Sequence, residues 1–331
     1  MNTMFSTKII VWAFTGFFFL LYGVGVYWSS EPASINIHAE VTQAAKAENV
    51  APVVGYSTTT ALIKVSEALL HKPGGYLSND IMPPSLFLDN MPAWEFGVLE
   101  MVRDIALVMR KDFSRSQSQS LENKHLQEAQ PRFNIDSKNW AMPSAESEYG
   151  EAIKHLYAYR SALVSTNGSN KAQFYARADN LRAYIEEVQK RLGSYSQRLS
   201  LSVGRDEIDT DLAGDSRAEQ SSQGISHAQL QTDWWKIDDV FYEARGATWA
   251  LLQLLRAVEI DFSSVLEGKN AKISLQQIIR ELEASQESLW SPMVLNGSGF
   301  GLVANHSLVM ANYISRANAA LIDLNELLTK G

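Results

Sequence analysis

Apolar side chains are distributed along this chain in two unlike ways. Residues 9–28 are twenty consecutive uncharged positions dominated by Ile, Phe, Leu, Val and Gly, and a helix of that length extends about 30 Å, the thickness of a bilayer core. After residue 28 the pattern changes: apolar residues recur at steps of three and four, and alternating period-two runs are nearly absent. Steps of three and four mark amphipathic helices. The expected fold is therefore all-α, a single N-terminal transmembrane helix followed by a multi-helix antiparallel bundle, because long helices bury their apolar stripes against one another.

Three stripes are long enough to suggest a register. Trp234, Ile237, Phe241, Ala244, Thr248, Leu251, Leu255, Val258, Phe262 and Val265 alternate steps of three and four without a break, the seam geometry of helices packed at a shallow angle. Phe174, Ala178, Leu181, Ile185, Val188, Leu192, Tyr195 and Leu199 form a second stripe, and Met310, Tyr313, Ala317, Ala320, Leu324 and Leu327 a third. Shorter helices are expected at about 57–71, 92–111, 147–165 and 274–290. Ser274 with Gln277, and Asn170 with Gln173, fit the capping box. Asp89 or Asn90 ahead of Pro92 starts another helix, and Lys72-Pro-Gly-Gly75 stops the first.

The chain divides into a tail (1–8), an anchor (9–28), a spacer (29–54) punctuated by Pro32 and Pro52, and a helical domain (55–331). Two stretches read as flexible, solvated connections: Ser/Gln-rich 114–130, and 204–224, where Asp206, Glu207, Asp209, Asp211, Asp215 and Glu219 face only Arg205 and Arg217. Residues 296–301 read as a hinge before the last helix.

A secretory signal peptide has an apolar core of roughly 7 to 15 residues ending at a small-x-small site. Here the run is longer and ends in Tyr27-Trp28, aromatic residues suited to a membrane interface. The segment reads as an uncleaved signal anchor. Lys8 precedes it, the first charge after it is Glu31 and the next basic residue is Lys46. Retention of basic residues on the cytoplasmic side then places the N-terminus in the cytoplasm and the domain in the periplasm of a bacterial inner membrane.

Composition narrows the partners. With 331 residues, 46% hydrophobic and 20% charged, the chain is long enough to bury a sizeable core. Beyond the anchor, 28 basic residues stand against 37 acidic ones, a net charge of −9, which argues against nucleic acid as a partner. The absence of cysteine excludes disulfides, thiolate metal sites and a Cys nucleophile.

Residues 76–97 are the most unusual part of the domain, with three prolines and four aromatics in a non-periodic connection. Ordered loops of this kind often carry function. Tyr76, Asn79, Asp80, Phe87, Asp89, Asn90, Trp94, Glu95 and Phe96 are therefore the candidate binding surface. The competing reading makes the aromatics a plug across the end of the bundle and the Asp and Asn residues ordinary caps.

Glu146, Glu148 and Glu151, near Tyr149, imitate the Glu-Ser helix start of lytic transglycosylases, but the Gly-x-x-Gln element of those enzymes has no match. Acids at a helix start are favoured by the macrodipole alone. The six histidines are scattered, without a His-x-x-x-His pair. Glu122-x-x-His125 is one lone Glu-x-x-His where a di-iron bundle needs two, and Asp209-x-Asp211 lacks the rest of a calcium loop. Gly-x-Ser-x-Gly, Ser-x-x-Lys and Walker patterns do not occur. No catalytic residue, metal or cofactor is assigned.

Lys72-Pro-Gly-Gly-Tyr-Leu-Ser-Asn-Asp80, Asp89-Asn-Met-Pro-Ala-Trp-Glu-Phe-Gly97 and Asp112-Phe-Ser-Arg-Ser-Gln-Ser-Gln-Ser120 together resemble a family of gammaproteobacterial membrane proteins known as a domain of unknown function. The resemblance implies an inner-membrane location and brings no activity or site residue. The expected function is a membrane-anchored envelope interaction or scaffold protein with an envelope protein partner, more consistent with a non-enzyme. The alternatives are a hydrolase acting on peptidoglycan or lipid, and a helical bundle that senses a small ligand.

Overall fold

Local sequence explains where each helix begins and ends. The computed structural model describes residues 2–116, 121–166, 171–208, 227–291, 293–298 and 301–330. The first helix, α1 (Asn2–Trp28), leads through an extended segment to α2 (Ile37–Glu48), whose Asn36 cap accepts from the Ala39 N–H. α3 (Tyr56–His71) stops where Gly74 and Gly75 take positive φ, which only glycine adopts at little cost. α4 (Asn90–Val108) starts behind Asp89, whose carboxylate accepts from the Asn90 N–H, and its end widens into a π-helical turn, Met109–Phe113. Then come α5 (Lys124–Phe133), α6 (Ala145–Val164) and α7 (Ala178–Ser200). Two four-residue strands, β1 (Arg205–Ile208) and β2 (His227–Leu230), pair antiparallel ahead of α8 (Ile237–Asp261), α9 (Ser263–Gly268), α10 (Lys272–Ala284) and α11 (His306–Thr329). The fold is all-α, the hairpin being a small addition.

α8 is the axis of the domain. From Ala244 to Leu255 all of its residues are buried, on every face, because α3, α4, α7, α10 and α11 surround it. A helix apolar all round belongs inside a large core. α4 lies along α8 in the same direction: Trp94 packs on Trp249 near one end and Phe113 on Phe262 near the other, with centroids 5.2 and 5.1 Å apart. At their crossing the backbones touch, and a Cβ on Gly97 would sit 1.9 Å from the Glu243 carbonyl oxygen, one on Gly246 2.0 Å from that of Trp94. α3, α7 and α10 run antiparallel to α8, as the Thr58–Asp261, Arg198–Glu243 and Gln276–Glu259 contacts show, whereas α11, antiparallel to α7 and α10, runs with it.

The two ends of the bundle differ. α1 leaves at one of them, the near end, where a Cβ on Gly25 would meet Pro84 and Leu88 at 3.7 Å and the Trp28 ring covers Gly74. The starts of α4, α6 and α8 and the ends of α3, α5, α7 and α10 lie there. The far end holds the starts of α3, α7 and α10. There Asp261 accepts from the Thr58 N–H, and Arg160 joins Glu48 at 2.6 Å.

The structure corrects several expectations. α5 occupies most of the second half of the Ser/Gln-rich stretch 114–130, since Leu126, Ala129 and Phe133 are spaced to bury one face on α6. In the first stripe Trp234 lies outside α8 in an exposed 3-10 turn, and Val265 belongs to α9. The second stripe holds from Leu181 to Leu199, but α7 starts at Ala178 behind Arg177, so Gln173 begins no helix, and Asn170 lies outside the described residues. α10 starts behind Ala271, which leaves Ser274 inside it. In α11 the buried face centres on Ile314, Leu321 and Leu328 and keeps only Met310, Ala317 and Leu324 of the third stripe. The segment before α11 is pinned, with Asn305 Nδ2 donating to Gly297 O (2.7 Å) and Ser307 Oγ to Asn296 Oδ1 (2.8 Å). Residues 117–120, most of 204–224, including Asp209 and Asp211, and residues 299–300 lie outside the described residues.

Candidate functional site

The Lys72–Glu95 pair organises the 76–97 region. Glu95 projects from the second turn of α4, with its side chain and that of Lys72 fully buried and 2.7 Å between Nζ and Oε1. Leu77 N–H donates to Oε1 and Ser78 N–H to Oε2, both at 2.8 Å, and Ser78 Oγ also donates to Oε2. Lys72 Nζ donates in addition to Gly75 O at 2.7 Å. Every strong acceptor direction of the carboxylate is thus filled from the loop behind α3. Burial pushes the Glu95 carboxyl upward against the pull of Lys72 and these donors. A carboxylate held this way fastens backbone; it has no free lone pair to offer a substrate.

The nine candidate residues do not form one surface. Tyr76, Asn79, Trp94 and Glu95 are buried. Tyr76 Oη donates to Ser137 O at 3.0 Å, its ring meets Tyr149 edge-on at 5.6 Å, and burial pushes its phenol up. Asn79 Nδ2 donates to Asn139 O (3.1 Å) and Glu146 Oε2 (3.3 Å). Asn90 and Phe96 are half-buried, and Asp80, Phe87 and Asp89 are exposed. Trp94, Glu95 and Phe96 belong to a helix, and Asp89 caps its start.

The other carboxylates are engaged too. Glu148 pairs with Arg132 at 2.6 Å and Glu151 with Lys154 at 2.6 Å. Glu122 meets Arg110 at 2.6 Å, while the His125 ring lies 6.0 Å from that of His155, a proximity across α5 and α6 that spacing did not reveal. Among the described residues, no group of three or more His, Asp or Glu side chains gathers as metal ligands do.

Arg245 is the group that sequence reasoning missed. It stands in the buried run of α8, and its Nε lies 2.8 Å from both Glu31 oxygens, three residues past α1. Its Nη atoms reach the carbonyls of Ser285, Gln286 and Glu287 at 3.0 to 3.2 Å, which closes the C-terminus of α10. One guanidinium therefore ties the α1 exit to the second half of the domain. The available signal was a lone cation between Ala244 and Gly246 in an apolar helix. Beside it an open groove of about 300 Å³ is lined by Phe241, Trp290, His306, Met310 and Tyr313. His306 Nδ1 accepts from the Leu295 N–H at 3.0 Å, and burial lowers the imidazole's proton affinity.

These features define an all-α bundle with one apolar N-terminal helix long enough to cross a membrane. The chain belongs to the family described as an uncharacterized protein conserved in bacteria (DUF2333), which matches residues 2–331. No curated protein and no solved structure matches it.

Proposed function

We propose that the chain is a single-pass protein of the bacterial inner membrane whose periplasmic helical domain is an interaction or scaffolding module of the cell envelope. The observation that carries this reading is α1. Its 21-residue segment Lys8–Trp28 has a mean hydropathy of 2.1, and only 6% of its most apolar part is buried by the rest of the chain. An apolar helix that the protein itself does not cover needs lipid or another protein around it. Lys8 on one flank and Glu31 on the other support a cytoplasmic N-terminus. The scaffold reading rests on the domain's construction: buried charges are engaged within the chain, as in Lys72–Glu95, Arg245–Glu31, Arg160–Glu48 and Arg198–Glu243, which fix the shape and leave the surface for partners.

Two measurements test it. The full chain is expected to stay in the membrane pellet after alkaline carbonate, and a reporter that fluoresces only in the cytosol is expected to stay dark when fused after Lys330. Release into the wash ends the anchor reading, and a bright fusion reverses the compartment. Crosslinking in intact cells should capture an envelope protein; a chain that remains uncrosslinked at positions around the domain is not a scaffold.

A further inference from the structure

The near end of the domain carries a distribution of side chains that the anchor alone does not require. Outside α1, every exposed aromatic side chain among the described residues lies there: Phe87, Trp140, Trp234, Trp235 and Trp290. They come from four separate connections, and polar contacts or packing hold those connections together. Phe87 follows Pro84, which touches the last turns of α1 together with Leu88. Trp140 follows Asn139, bonded to Asn79. Trp234 and Trp235 form the turn that starts α8, close enough for Asp239 of α8 to feel the charges of Asp89 and Lys138. Trp290 follows the Glu287 carbonyl held by Arg245, which also holds Glu31. Aliphatic neighbours extend the patch, with Met82 71%, Met142 and Leu302 fully and Met293 64% exposed.

We infer that this end face, and not α1 alone, rests in the lipid: the four connections form an aromatic collar seated in the interfacial layer of the bilayer around the exit of α1. The inference rests on the single-pass reading. The occupant follows from continuity, since the last turns of α1 lie against Pro84 and Leu88 beside Phe87, and Glu31 just beyond them is held by Arg245, so that lipid headgroups at the end of α1 lie beside these loops. The chemistry fits, because indole rings with an apolar face and a polar N–H favour the headgroup level. Exposed indoles in this number are otherwise an aggregation liability. Exposed charges here are mainly acidic, Asp80, Asp89, Asp136, Asp233 and Glu287 against Lys138 and Lys236, so seating comes from the rings and draws no attraction from anionic lipid.

The chain has no cysteine, so single-cysteine probes are clean. Phe87→Cys, Trp140→Cys, Trp235→Cys and Trp290→Cys report the collar, Phe18→Cys the span and Leu121→Cys the solvated body. Each full-length variant is labelled with a polarity-sensitive fluorophore and reconstituted in vesicles of phosphatidylethanolamine with varied phosphatidylglycerol. The expected result is iodide quenching at the collar about threefold or more below Leu121, quenching by shallow nitroxide lipids at the collar, and quenching by deep ones at Phe18 alone. A shielded Phe18 with collar sites as open to iodide as Leu121 overturns the collar and leaves the anchor standing. An iodide-accessible Phe18 removes the anchor reading and the collar with it. Shielding of the collar that vanishes as protein is diluted in lipid assigns the face to a second copy and overturns the inference.

Discussion

At the residue scale, the decisive groups are buried charges, whose energetics are asymmetric. A buried ion pair contributes little net stability, but removal of one partner strands the other. Lys72→Met leaves Glu95 charged among backbone donors, and the expected loss is about 3–5 kcal/mol in urea unfolding of the full chain. A loss under about 1 kcal/mol would mean that water reaches the pair, as at surface bridges. Asp239 gives a pH dependence. Burial first, then Asp89, Asp238 and Glu243, raise its carboxyl to about 6 against an ordinary 3.8, with Lys138 opposing. Between those values the folded state binds more protons than the unfolded one, so this group's contribution to stability falls as pH rises through that window and is lowest above it. Asp239→Asn removes the effect. Its urea midpoint should gain on the parent's between pH 4.5 and 7.5; an unchanged difference would show that Asp239 titrates normally.

At the scale of elements, glycine has opposite meanings in two helices. In the α4–α8 crossing an added methyl meets backbone that cannot move alone, so Gly97→Ala should cost about 1–3 kcal/mol or more despite its better helix propensity. Gly150, inside α6, has nothing within 4 Å of its Cβ position, and Gly150→Ala should stabilise by about 0.5–1 kcal/mol. Thermal unfolding of both checks the contrast, and a shared sign would contradict it. The same crossing marks what was legible in the sequence. The stripe from Leu181 to Leu199 told the truth because α7 lies on one side of the core. For α8 the stripe is buried from Ile237 to Phe262 but is only part of the buried surface: Ala250, Leu252 and Leu254 lie off it and are equally buried. The apolar run around Trp249 was the signal for an axial helix. α5 was hidden because polar residues dominate it and only Leu126, Ala129 and Phe133 carry its face. In the candidate region, prolines and aromatics announced an unusual loop, but the joining of Lys72 to Glu95 is a tertiary event that no local pattern encodes.

At the scale of the whole molecule, the question is how the α1 exit is mechanically joined to a bundle that it barely touches. Gly25, Trp28 and Glu31 supply the junction, Arg245 joins Glu31 to α8 and the end of α10, and Arg256 makes a second tie from Ser34 to Glu283. Arg245 satisfies several acceptors at once through the planar fork of its guanidinium, a geometry that lysine lacks. Arg245→Lys should therefore fail almost as fully as Arg245→Ala, whereas Glu31→Gln, at a partly exposed position, should be milder. Both Arg245 changes leave carbonyls at the end of α10 unpaired, so hydrogen exchange should accelerate at 285–290 and 29–36. The deeper amides of α4 and α8 around Val98 and Leu254 should keep their protection, because local opening there is limited by the core. Acceleration spread evenly over the domain would show that Arg245 supports global stability only. Confined acceleration would show that the guanidinium fastens the α1 exit to the end of α10 locally.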